Sequence, residues 1–410
     1  MKYNFDEPVD RSRNFSAKYD ECARKFGREG LIPMWIADMD LKTAQPIMDA
    51  MEERNKQGIF GYTTRPASYY EAVCRWQKDR NGYDFDKSLA AFALGVIPAI
   101  CTIVREFTEP GQEVMYFTPV YSEFHDSVVN SGRTPLTVSL KEQDGYYEID
   151  YEAFEEAAKR RPGLLIMCNP HNPVGRSWTR EELEKVGDIC VRYQIPIISD
   201  EIHSDLMLYG HRHTVMAGVS GEIADITITC TSATKTFNLA GLQAATLFFP
   251  NHEMKDRYEK FWFGMDVHRN NCFSLVAVET AFREGGEWLE QLLDYLEGNI
   301  DYTWDYLKKN IPEIHFLKPE STYLLWLDCR ELGLSGDELQ TFMVQDAGLA
   351  LNDGRGFGPE GGGYMRMNIA CPRATIERAL GQLKADRGQE DGTVNLPDHE
   401  LADVRGSTCS

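Results

Sequence analysis

Apolar positions in this chain gather into short runs that are nearly continuous rather than alternating. Between residues 89 and 249 there are seven such runs, at 89–94, 113–117, 135–140, 164–168, 195–199, 226–231 and 244–249. Helical or turn spacing separates most of them, as at 98–107, 151–160 and 180–193. The last of these has Thr179 as a candidate N-cap ahead of Glu181 and Glu182. Continuous apolar strands alternating with helices predict an α/β fold, a mostly parallel seven-stranded sheet with helices on both faces. Such sheets bind ligands at the carboxyl ends of their strands.

Outside this block the pattern changes. Residues 1–45 read as irregular, with Trp35-Ile36-Ala37-Asp38-Met39-Asp40 in their midst, where Trp35 would pack and Asp40 would face water. Helical spacing covers 45–55, with Ile47, Met48 and Met51 on one face, and 68–80, with a loop at 58–63 between them. Residues 250–285 are helical and aromatic, 288–310 reads as a long amphipathic helix and 337–346 as a shorter one. Strands are expected at 323–327 and 364–370. The stretch 354–363 carries six glycines but lacks the Lys-Ser/Thr ending of a nucleotide loop. Residues 384–410 hold three basic and six acidic residues and few apolar ones; a mobile tail is expected over 387–410.

Composition narrows the function classes. The 410 residues are 42% hydrophobic, enough for a large core and two domains. A net charge of −21 argues against nucleic acid as a partner, since phosphate binding needs clustered Lys and Arg. The ten cysteines show no CxxC spacing, which speaks against a zinc knuckle and for reduced thiols in the cytoplasm. Residues 1–7 lack the apolar core of a secretory leader. The charge-free run 89–104 is shorter than the ~20 residues a membrane span needs and contains Gly95 and Pro98.

Candidate chemistry follows the strands. Lys235 is the one strongly basic side chain between 226 and 249. A lysine there either snorkels to water from a turn or is desolvated, which makes its amine a better nucleophile. Gly95-Val96-Ile97-Pro98 opens a helix after a strand, where free N–H groups suit an anion, although many such joints hold nothing. Tyr121 either stacks on a flat ring or packs. Asn172, between two Asn-Pro pairs, either shapes a turn or donates to a ligand oxygen. Asp200 directly follows a buried strand and needs a cationic or donor partner. The neighbouring acids and His203 raise a metal as an option, but no metal site is expected. Arg366, in an apolar strand, either captures a carboxylate through its planar fork or forms a structural ion pair.

Asn169-Pro170-His171-Asn172-Pro173-Val174-Gly175, Asp200-Glu201-Ile202-His203, Ser232-Ala233-Thr234-Lys235 and Arg366 occur in the order found in fold type I pyridoxal phosphate enzymes. Over about 30–386 the chain resembles the class I/II aminotransferase family. The stretches from Trp35 to Asp40 and from Lys235 to Gly241 resemble its cysteine–sulfur β-lyase branch, the cystathionine β-lyases of the MalY/PatB type.

The resemblance implies pyridoxal 5'-phosphate as cofactor and assigns roles. Lys235 would hold the cofactor as a Schiff base and then shuttle the substrate's Cα proton. Asp200 would pair with the pyridine nitrogen, Asn172 with the ring oxygen, and Tyr121 would stack on the ring. The Val96 and Ile97 amides with the Ser232 hydroxyl would hold the phosphate. Arg366 would clamp the substrate carboxylate, with Asn172 and Ala37 beside it. Tyr62 would reach the phosphate of a neighbouring subunit, implying a homodimer with shared sites. His203 stands where the family usually has Tyr, and can still bond on the ring-oxygen side. Gln243 stands where it usually has Arg, which leaves the phosphate one cation short. The implied organisation is an arm at 1–45 that also forms part of the small domain, a large cofactor-binding domain at 46–284, a small α+β domain at 285–386 and the tail. The implied activity is β-elimination from cystathionine or related S-substituted cysteines, giving a thiol, pyruvate and ammonia. The alternatives are an aminotransferase, and a regulatory protein that retains the fold.

Overall fold

The computed structural model describes residues 2–11 and 14–385; the tail expected at 387–410 lies outside the described residues. All seven apolar runs become strands of one sheet: β1 Ala90–Ala93, β2 Glu113–Thr118, β3 Thr134–Ser139, β4 Leu164–Cys168, β5 Ile197–Asp200, β6 Thr227–Thr231 and β7 Ala245–Phe248. Their order is β1-β7-β6-β5-β4-β2-β3. Strands β2 to β6 pair in parallel, whereas β7 is antiparallel to both β1 and β6. Only a short helix, Ala233–Thr236, and a tight turn join β6 to β7. Nothing there can carry the chain back along the sheet, so β7 runs the other way.

Side chains alternate across the sheet. Val114 and Tyr116 pack with Ile100, Ile103 and Phe124 on one face. Met115 and Phe117 pack with Phe154, Leu183 and Val186 on the other. Burial of both faces is why the runs carry no polar alternation. The helix Arg180–Tyr193 begins where the sequence placed its cap: Glu182 N donates to Thr179 Oγ1 (3.2 Å) and the Glu182 carboxylate accepts from Thr179 N (2.8 Å).

A second, antiparallel sheet contains β8 Leu324–Asp328, β9 Asn352–Asp353 and β10 Tyr364–Asn368, in the order β8-β10-β9. It shares one apolar core with the helices Gly286–Asn310 and Arg373–Ala385, and that core continues to Phe92 and Phe248 of the large sheet. The N-terminal stretch is less irregular than its sequence suggests. It forms the helices Ala17–Asp20 and Cys22–Phe26, and Ile32–Pro33 pairs in parallel with Leu349–Ala350. The helix Gly336–Thr341 widens into a π-type turn at Phe342–Asp346. The glycines of 354–363 serve a backbone crossing: a Cβ on Gly361 would lie 1.8 Å from the Gly354 carbonyl oxygen. The nine cysteines among the described residues are all unbridged. No helix among the described residues is long and apolar enough to cross a membrane.

Candidate active site

The strand ends surround a cavity of about 900 Å³. Lys235, on the short helix after β6, reaches it from one side, and Asp200, the last residue of β5, lines it from below. Asn172, in the turn after β4, and Tyr121, after β2, close a third side. These two are tied together, because Tyr121 N donates to the Asn172 carbonyl (3.1 Å). Val96 and Ile97, the first residues of the helix Val96–Phe107, also line the cavity and present the unsatisfied N–H groups of a helix start.

Burial sets the charge states. It lowers the Lys235 ammonium to about 8, with the positive Arg366 adding to the effect. It raises the Asp200 carboxyl to about 7, even though the Ile202 amide donates to it at 3.1 Å. His203 is held down to about 3 by burial, then by Lys235 and Arg366, so its imidazole is neutral; its Nδ1 is buried without a partner. Burial raises the Tyr121 phenol to about 12.

Arg366, on β10, is 3% exposed. Its Nη1 donates to Asn172 Oδ1 (3.1 Å), and its Nη2 to the Trp35 carbonyl (3.0 Å) and Asn352 Oδ1 (2.8 Å). No carboxylate pairs with it among the described residues, and its Nε is a buried donor with no acceptor. Burial draws the guanidinium down to about 10, where it remains charged. A buried cation without an anion is costly, and this one faces a cavity, which suits a carboxylate ligand. The same wall offers an amine, a carboxylate, an amide and a helix start. That donor set fits a flat, phosphate-bearing aromatic aldehyde.

The stretch Trp35–Asp40 forms a strap over the cavity, and each of its residues is bound through its backbone. Beyond Trp35, the Ile36 carbonyl accepts from Asn368 Nδ2 (2.7 Å), and that of Asp38 from Asn368 (2.6 Å) and Lys18 Nζ (3.1 Å). The Ala37 carbonyl takes both Lys235 Nζ (2.5 Å) and the Tyr323 hydroxyl (3.0 Å). Asn238 bonds Met39 N and O and Leu41 O, and Asp40 N donates to the Ala370 carbonyl. Asp40, expected to face water, is 7% exposed and pairs with Lys18 (3.0 Å) and Arg11 (2.6 Å). Lys18 is itself buried, and two carboxylates, Asp38 and Asp40, compensate its charge. Burial tends to raise Asp38, but Lys18 and Arg11 outweigh it and hold that carboxyl below its ordinary range.

Two of the residues singled out in the sequence do not line this cavity. The Ser232 hydroxyl donates to the Ala244 carbonyl (2.7 Å) and caps its own helix, and Thr234 stands on the wall in its place. Tyr62 is 93% exposed, beneath the Arg269 guanidinium. The acids after Asp200 are structural. Glu201 accepts from Ser199 Oγ and Met216 N and pairs with His213 (2.9 Å), while Asp205 accepts from Trp76 Nε1 and Thr236 Oγ1. The residues the sequence reading missed are Lys18, Asn238, Tyr323 and Asn368. Asn368 had a signal: two residues after Arg366 in a strand, it shares that residue's face.

The aminotransferase class I and II family model matches residues 31–383. The cystathionine β-lyase PatB of Bacillus subtilis is 41% identical over 93% of this chain and 99% of its own length. A PLP-bound putative aminotransferase from Clostridium difficile superposes with a TM-score of 0.92 at 46% identity, covering 94% of this chain and all of that one. Cystalysin from Treponema denticola, which contains a pyridoxal 5'-phosphate cofactor, has a TM-score of 0.92 at 32% identity, covering 95% of this chain and all of that one. The shared motifs, the seven-stranded sheet and the matched length agree: the chain belongs to the aminotransferase class I and II family.

Proposed function

We propose that the protein is a pyridoxal 5'-phosphate-dependent carbon–sulfur β-lyase, cleaving cystathionine or a related S-substituted cysteine to a thiol, pyruvate and ammonia. The observation that carries this reading is the Lys235 amine, depressed to about 8, sharing one cavity with Asp200, Asn172 and the anion-free Arg366. When bound, the cofactor supplies an electron sink for negative charge developing at the substrate's Cα. Lys235 Nζ would hold the cofactor and would be the base that takes the substrate's Cα proton. Asp200 would supply the anionic partner for the cofactor's ring nitrogen. Arg366 receives the α-carboxylate, its planar fork already aligned by Asn172, Trp35 and Asn352. The Val96 and Ile97 amides, with Thr234 on the same wall, would serve the phosphate, and the neutral His203 ring would serve the ring-oxygen side. Removal of the Cα proton and departure of the β-sulfur leave an enamine of alanine, which hydrolyses to pyruvate and ammonia.

The 41% relative is a cystathionine β-lyase, which favours elimination. Transamination uses the same groups and is the second reading, favoured by the description of the Clostridium difficile neighbour. Products decide between them. Purified protein given L-cystathionine alone is expected to release pyruvate and homocysteine, faster than it transaminates that substrate. Consumption of 2-oxoglutarate with neither thiol nor pyruvate formed would overturn the lyase reading. The proposed setting is the cytoplasm, and the proposed assembly a homodimer in which the partner subunit's Tyr62 completes the phosphate site.

A further inference from the structure

We propose that the outer half of the cavity is a second amino-acid subsite, in which Lys25, Glu123 and Gln340 hold the carboxylate and ammonium of the leaving thiol's own head group. The proposal rests on the lyase reading and names its substrate class: cysteines whose sulfur carries a second α-amino acid, in preference to plain S-alkyl cysteines.

Trp35 links the two halves. Its carbonyl accepts from Arg366, while its ring carries Lys25 Nζ at 4.1 Å from the centroid. One residue therefore separates the inner cation from an outer one, and Phe26 packs edge-on against the same ring at 5.6 Å. This aromatic floor suits the methylenes between two charged ends.

The outer groups lack partners. Lys25 lines the cavity while remaining exposed, and lies over the Phe26 and Trp35 rings with no carboxylate in ion-pair range among the described residues. Glu123 lines the cavity beside Tyr121, in the first turn of the helix Ser122–Asn130, and its carboxylate has no hydrogen-bond or ion-pair partner among the described residues. Gln340 lines it too, and its Oε1 is a buried acceptor with no donor. A buried acceptor left unmade is costly, so it marks a place where a ligand donor belongs. Burial lowers the Lys25 ammonium, followed by the like charge of Arg366, while Glu123 and then Glu21 act in the opposite sense. Lys25 and Glu123 thus lie within electrostatic reach of each other.

One cation, one anion and one neutral acceptor form the complement of a zwitterion. An uncharged alkyl thiol would desolvate Lys25 and Glu123 and give nothing back, which makes the subsite selective as well as attractive. The cavity volume, about 900 Å³, lies near the upper end of the roughly 300–1,000 Å³ of small-molecule sites, a space that cofactor and substrate would share.

The test uses two amino acids that cannot eliminate. Holoenzyme is titrated, by its visible absorbance, with L,L-2,7-diaminooctanedioate, which carries the second head group, and with L-2-aminooctanoate, which ends in a methyl. The wild type is expected to bind the first more tightly. Lys25→Met and Glu123→Gln are each expected to remove about three- to tenfold of that preference, leaving L-2-aminooctanoate unaffected. Equal affinity for the two ligands in the wild type, or parallel weakening of both in the variants, overturns the subsite. Failure to release pyruvate from S-propyl-L-cysteine and from cystathionine alike overturns the lyase reading instead, because the binding comparison requires no turnover.

Discussion

Asp200 shows how a residue can be costly to the fold and necessary to the site. Its carboxyl is raised to about 7 by burial, against an ordinary value near 4. A raised carboxyl contributes its stability at low pH, below the unfolded value, and loses it as pH rises through the folded one. The loss for cofactor-free protein between pH 4 and 8 is on the order of 4 kcal/mol, at 1.36 kcal/mol per unit. Asp200→Asn should therefore raise the melting temperature of cofactor-free protein at pH 8, with the difference shrinking towards pH 4. The same variant should lose about 10²-fold or more in turnover, because the pyridine nitrogen loses its anionic partner. Thermal scans at both pH values, beside a pyruvate assay, check the two halves; a variant less stable at pH 8 with full turnover contradicts both. Asp200, Lys235 and Arg366 were legible in the sequence because a charge in an apolar run stands out. Lys18 was not, since nothing in Ser16-Ala17-Lys18-Tyr19 says that this lysine is buried against Asp38 and Asp40.

The strap Trp35–Asp40 belongs to the next scale. Its conformation comes from tertiary bonds, since it has no regular structure of its own and its carbonyls bind Arg366, Asn368 and Lys235. Local pattern therefore could not reveal it, whereas the seven strands and the Thr179 cap were readable because their signals lie within one element. The antiparallel β7 was hidden for a related reason, as an apolar run carries no direction. Asn238 pins the strap by three bonds and sits at a φ of +56°, a conformation Asn adopts more readily than Ala. Asn238→Ala should cost about 2–3 kcal/mol of stability, from unmet backbone groups and the backbone penalty. It should also raise KM for the amino acid, because the Ala37 and Trp35 carbonyls lose their register on Lys235 and Arg366. Urea denaturation and steady-state kinetics measure the two effects. Lost stability with an unchanged KM would show that the strap supports the fold without placing the site.

At the scale of the molecule, Tyr62 is a large side chain left 93% exposed and away from the cavity of its own chain. If the partner subunit's Tyr62 completes each site, two inactive variants can rescue each other. Lys235→Ala and Tyr62→Ala, mixed under conditions of subunit exchange, give hybrid dimers with one intact site. Random pairing makes half the dimers hybrid, so about a quarter of wild-type activity should return. No recovery in exchanged, dimeric protein would place Tyr62 outside the site, and a monomer by sedimentation would remove the shared site altogether. The backbone bonds of the strap also bear on how the chain is made. Trp35 binds Arg366 across 331 residues of sequence, and Ile36 binds Asn368 across 332. On the ribosome the strap emerges before the large sheet, and β10 only after the whole of it. The carboxylate seat therefore cannot exist until β10 has been translated. Chains stalled before residue 366 should process no amino acid, which a pyruvate assay on such stalled chains checks.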